Sequence, residues 1–122
     1  MKRFILVAII PVFLVSYYSC SKDKTNPPAD CTQTDSVNTY NLSVKPIFDA
    51  ECATSGCHDA NSGASGIVLS NYTESVNAAK SKSNFFCVID HSCGPVMPLG
   101  SGKLADSTIA KITAWKVNCY AQ

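Results

Sequence analysis

The chain has 122 residues, ten Lys and Arg against nine Asp and Glu, a formal net charge of +1, and seven cysteines. That length suits one compact domain rather than two, and the near-balanced charge excludes the basic field that nucleic acid binding requires. Seven cysteines in so short a chain each call for a chemical role.

In chain order, Lys2 and Arg3 precede an almost wholly apolar run of twelve residues, Phe4 to Val15. The run is too short for a permanent membrane span and has the length of a signal-peptide core. It ends in Tyr17-Tyr18-Ser19-Cys20, a small residue directly before a cysteine, which resembles a bacterial lipoprotein signal. Residues 1–19 are therefore expected to be a removed signal peptide, and Cys20 to carry lipid as the first residue of the mature chain. The expected location is the periplasmic side or the cell surface, anchored to a membrane, where disulfides persist. The remaining residues 20–122 number 103, with eight basic and nine acidic side chains. Residues 20–36 are rich in Lys, Asp, Asn, Thr and Pro, with almost nothing apolar to bury, and read as a flexible tether. Residues 37–122 read as the folded domain.

The first helix is expected after Ser43, a suitable N-cap, with Val44, Ile47, Phe48 and Cys52 at helical spacing. Pro46 falls in its first turn, where a missing N–H costs little. This helix runs into Cys52-Ala53-Thr54-Ser55-Gly56-Cys57-His58, two cysteines and an adjoining histidine that read as a c-type haem attachment site. Thioethers from Cys52 and Cys57 would hold the porphyrin, and His58 would place an imidazole under the iron. Four residues separate the cysteines, against two in the usual C-x-x-C-H form. Two other chemistries suit the same residues. One is a Cys52–Cys57 disulfide with an exposed His58, and the other is a zinc site needing a fourth ligand such as His91.

Asp59 to Gly66, rich in Asn, Ser and Gly, reads as loop. Asn71 with Glu74 three residues on is a capping-box-like start for a short helix to about Lys80. Phe85 to Gly102 holds Cys87, His91, Cys93, Met97 and two prolines, and reads as irregular. The last helix is expected from near Asp106, with Ile109, Ile112, Trp115 and Cys119 on one stripe. The fold class is thus mostly α, three or four helices with long loops.

With Cys20 taking lipid and Cys52 and Cys57 taking haem, Cys31, Cys87, Cys93 and Cys119 remain, and four cysteines pair in three ways. Cys87 and Cys93 can close a small loop, in which case Cys31 would meet Cys119.

Four pieces occur in order: Lys45-Pro46-Ile47-Phe48, Ser55-Gly56-Cys57-His58, Pro95-Val96-Met97-Pro98 and Ile109-Ala110-Lys111-Ile112-Thr113-Ala114-Trp115. Together they resemble small monohaem cytochromes c of bacterial exported lipoproteins, over roughly residues 44–117. The resemblance implies a small cytochrome c-like fold around one covalent haem c. It also implies electron transfer with redox partner proteins, no enzymatic activity, and Met97 as the distal iron ligand opposite His58. Met97 is the only methionine of residues 20–122 and stands in a proline-flanked segment. His91 is the other candidate for the sixth iron position but reads as an exposed loop histidine, and Lys80, Lys82 and Lys103 read as solvated surface. Trp115, Ile109, Ile112, Phe85 and Phe86 read as core. A reading from another class is a non-haem, disulfide-stapled envelope lipoprotein that binds a partner or glycan. A third is a sensor or peroxidase-like haem protein with a labile sixth iron position.

Overall fold

The computed structural model describes residues 33–122. The expected signal peptide, Cys20, Cys31 and the tether up to residue 32 lie outside the described residues. Among the described residues the chain is mostly α, with four α-helices and no strand. No helix among them is long and apolar enough to cross a membrane.

The first helical segment starts further upstream than expected. Thr39, not Ser43, is its cap, accepting from Leu42 N at 3.4 Å. A π-helical turn, Tyr40–Val44, then leads directly into α1, Lys45–Glu51. Ser43 instead donates its hydroxyl to Val37 O at 2.8 Å, drawing the preceding residues onto the turn. Tyr40, Val44 and Phe48 recur every four residues and are all buried.

α2, Tyr72–Ser81, begins as expected. Asn71 accepts from Glu74 N at 3.0 Å, and its side-chain amide donates back to the Glu74 carboxylate at 2.6 Å. Inside the stretch expected to be irregular, Phe85–Ile89 forms a short helix, α3, with Phe85 and Ile89 both buried. α4, Asp106–Val117, starts where expected and buries Ile112 and Trp115. Cys119 is not on its stripe: the helix ends at Val117, and Cys119 has φ 58°, outside the right-handed helix.

Trp115 is fully buried at the centre of an aromatic cluster. Its ring meets Tyr40 at 5.8 Å, Phe48 at 6.2 Å and Tyr120 at 5.0 Å, the last two edge to face. Its indole N–H donates to Ala121 O at 3.0 Å, a carbonyl that also accepts from Tyr40 N at 2.7 Å. Buried Asn118 closes the domain. Its amide donates to Asp35 O at 2.6 Å and Asn38 O at 3.1 Å, and its side-chain oxygen accepts from Asp35 N at 3.2 Å.

Cys87 and Cys93 form a disulfide, as expected. Closing so short a loop stabilises the fold by about 2 kcal/mol in the chain-entropy model. Cys119 is also disulfide-bonded; Cys31, its expected partner, lies outside the described residues.

Candidate functional site

At the end of α1 the backbone turns back on itself. Cys52 N and Ala53 N both donate to Phe48 O, at 2.9 and 2.6 Å. Cys57 N donates to Thr54 O at 2.9 Å, and His58 N returns to Cys52 O at 3.0 Å. All four residues between the cysteines lie in that turn. Gly56 makes it possible, with φ 83°, a conformation strained for any residue bearing a Cβ.

Asp59 secures the outer side of the turn. Its carboxylate accepts from Gly56 N at 3.0 Å, Asn61 N at 2.7 Å and Ser62 N at 3.0 Å. Hydrogen bonds from the Ser62 side chain and backbone, then from Asn61 and Gly56, hold its pKa down to about 2. A carboxylate so depressed supports the turn fully above its ordinary value of 3.8 and loses that support as pH falls toward about 2. The Gly56, Asn61 and Ser62 amide resonances should accordingly shift together between about pH 4 and pH 2. An unchanged transition in Asp59→Asn would assign it to another group.

His58 is half-buried, and its Nδ1 lies 3.1 Å from Ile67 O. A carbonyl can only accept, so this contact needs a proton on Nδ1, and in the neutral ring the lone pair then lies on Nε2. The backbone clamps the ring further, because Leu69 N donates to His58 O at 2.8 Å and Ala64 N to Cys57 O at 2.9 Å.

Both motif cysteines are free thiols, Cys52 half-buried and Cys57 exposed, so the alternative disulfide between them is not formed. Burial, followed by the charges of Glu51 and Cys57, pushes the Cys52 thiol up to about 12. It is therefore protonated at neutral pH and a poor nucleophile on its own. Among the described residues no three His, Cys, Asp or Glu side chains come together as a metal-ion site, so the zinc alternative has no assembled ligand set.

Met97 is half-buried and fixed through its backbone. Its N–H donates to Val88 O at 2.8 Å, and its carbonyl accepts from His91 Nε2 at 3.1 Å. His91 is thus not the exposed loop residue expected: it is half-buried, with φ 64° and an engaged ring. Nothing in residue spacing signals this contact, which depends on the left-handed backbone at His91.

His58 and Met97 belong to separate elements, the end of α1 and the segment following α3. A cavity of about 640 Å³ runs along α4 beside Thr34 and Asp35, and one of about 430 Å³ lies near Tyr40 and Asn71. Neither is lined by Cys52, Cys57, His58 or Met97. The donor set nonetheless fits a haem c: two free thiols bracketing one turn, next to an imidazole whose Nε2 is available as a ligand. No family model matches the chain, and neither a curated protein nor a solved structure does.

Proposed function

We propose that the protein is an electron carrier, a membrane-anchored monohaem c-type cytochrome that works with redox partner proteins and has no substrate chemistry of its own. The observation that supports this reading is the contact of His58 Nδ1 with the Ile67 carbonyl, which leaves Nε2 uncommitted to it, directly after two free thiols. Cys52 and Cys57 would hold the haem covalently, with His58 and Met97 as the iron ligands. When bound, the haem supplies a one-electron iron couple.

The chain's own residues supply position and environment. Ile67 O orients the His58 ring. The Gly56 turn, braced by Asp59, sets how Cys57 and His58 stand relative to the end of α1. Packing of Phe48, Phe85 and Trp115 keeps water from the core side of α1. With haem bound, the neutral sulfur of Met97 would favour reduced iron and raise the potential.

A pyridine haemochrome spectrum tests the reading on full-length protein made with a competent haem-attachment system. Haem should survive denaturation, with the band position of two saturated vinyl groups. Protein that sheds all its haem, or never holds any, returns the function to the non-haem envelope lipoprotein. Carbon monoxide binding to the reduced form favours the sensor or peroxidase-like alternative.

Membrane anchorage has a separate test. Cys20→Ser should release the chain into the soluble fraction or accumulate uncleaved precursor, because two acyl chains give the stable attachment that one does not. Fatty-acid labelling with fractionation measures this. A soluble, unlabelled wild type would remove the anchor from the account.

A further inference from the structure

We infer that His91 is the positioning residue for Met97, fixing the main chain from which the distal sulfur is presented; the inference rests on the haem reading above. Met97 is not among the apolar side chains packed on the core, and its neighbours Val96 and Leu99 are exposed. Core packing therefore does not place it. Its place comes from two backbone hydrogen bonds, one on each side of the residue. The N–H is held by Val88 O on α3, and the carbonyl by the ring of His91.

His91 is built to reach back. With φ 64° it occupies a conformation that costs a non-glycine residue about 1 kcal/mol or more. The surroundings enforce it. Ser92 N donates to Asp90 Oδ1 at 2.8 Å and to Cys87 O at 3.0 Å, Cys93 N donates to Cys87 O at 3.2 Å, and the Cys87–Cys93 disulfide closes the base of the loop. The contact to Met97 O requires a proton on Nε2, which both the neutral Nε2–H tautomer and the imidazolium provide. A thioether is a weak, neutral iron ligand, so the free energy that keeps its main chain in position bears directly on how readily another ligand displaces it.

The test compares wild type, His91→Ala, His91→Gln and Met97→Ala as haem-loaded full chains. His91→Ala should keep covalent haem through denaturation and keep its helical circular dichroism. Its oxidised form should show a weaker sulfur-to-iron charge-transfer band and bind imidazole on the order of tenfold more tightly, the worth of one hydrogen bond. His91→Gln, whose amide can donate to the same carbonyl, should recover most of both properties. A readout independent of the iron accompanies these: the Met97 amide of haem-free protein should exchange faster in His91→Ala than in wild type or His91→Gln. Wild-type band, imidazole affinity and amide exchange in His91→Ala would overturn the inference. So would a Gln variant as impaired as the Ala variant. Met97→Ala with an unaltered band would remove Met97 as ligand and the role of His91 with it, while haem content alone still decides the cytochrome reading. A wild type without covalent haem overturns both.

Discussion

Cys57→Ser should lower the yield of haem-loaded protein by about tenfold or more while leaving the polypeptide folded. Groups that merely orient a metal ligand are worth about 10- to 100-fold in affinity, and a covalent attachment point should be worth no less. Cys57 is the cleaner probe of the two thiols. It is exposed, so a hydroxyl in its place costs little packing, and Cys57→Ser isolates attachment from stability. Cys52 is half-buried and packs against the core, so Cys52→Ser should lose haem and also lower the melting temperature. His58→Ala should block attachment or abolish the native ferrous spectrum, since no other imidazole adjoins the turn. Haem staining after denaturing electrophoresis, with circular dichroism of the same samples, separates the two kinds of loss. Normal covalent haem in all three variants would sink the haem reading.

Trp115→Ala should destabilise the domain by about 3–5 kcal/mol. The indole is wholly buried against Tyr40, Phe48 and Tyr120, so truncation opens a cavity bounded by rings too large to collapse into it. The change also removes the donor to Ala121 O, although Tyr40 N still serves that carbonyl. A domain of this size has about 5–15 kcal/mol in total, so the variant stands near the unfolding threshold, its midpoint lowered by roughly 15 °C or more. Trp115→Phe, which keeps much of the ring, should lose clearly less. Denaturant titration of both checks the ordering, and equal losses would assign the effect to the indole hydrogen bond rather than to volume.

The parts legible from the sequence were those with a local cause. Asn71 and Glu74 mark the start of α2 because both halves of the reciprocal cap lie within one turn. Ile109, Ile112 and Trp115 show the α4 face because a helix of twelve residues is long enough to display its period. Cys87 and Cys93 are close enough in sequence that a bridge needs little else. What stayed hidden has other causes. A five-residue helix such as α3 is shorter than the window in which periodicity can be recognised. The π-helical turn before α1 departs from the 3.6-residue period, so the sequence pattern points to Ser43 as the cap where the structure has Thr39. Within the site, the Cys-His pattern was plain, but the Ile67 carbonyl that selects the His58 tautomer lies nine residues away through an irregular loop. The contact between His91 and Met97 depends on a left-handed residue that composition does not flag.

Asn118 bonds to Asp35 and Asn38 across 83 and 80 positions of chain, and Ala121 O receives both Tyr40 N and the Trp115 indole. Such pairings are slow to form, because the loop entropy of the whole intervening segment is lost before any contact repays it. A polypeptide emerging from its N-terminal side therefore presents Cys52, Cys57 and His58 well before Trp115 and Asn118 arrive to seal the core. During that interval the Cys52 thiol, screened in the finished fold, is open to solvent and to any enzyme that modifies it. The order of emergence thus gives Cys52, unlike the exposed Cys57, a period of open access that narrows when the core closes.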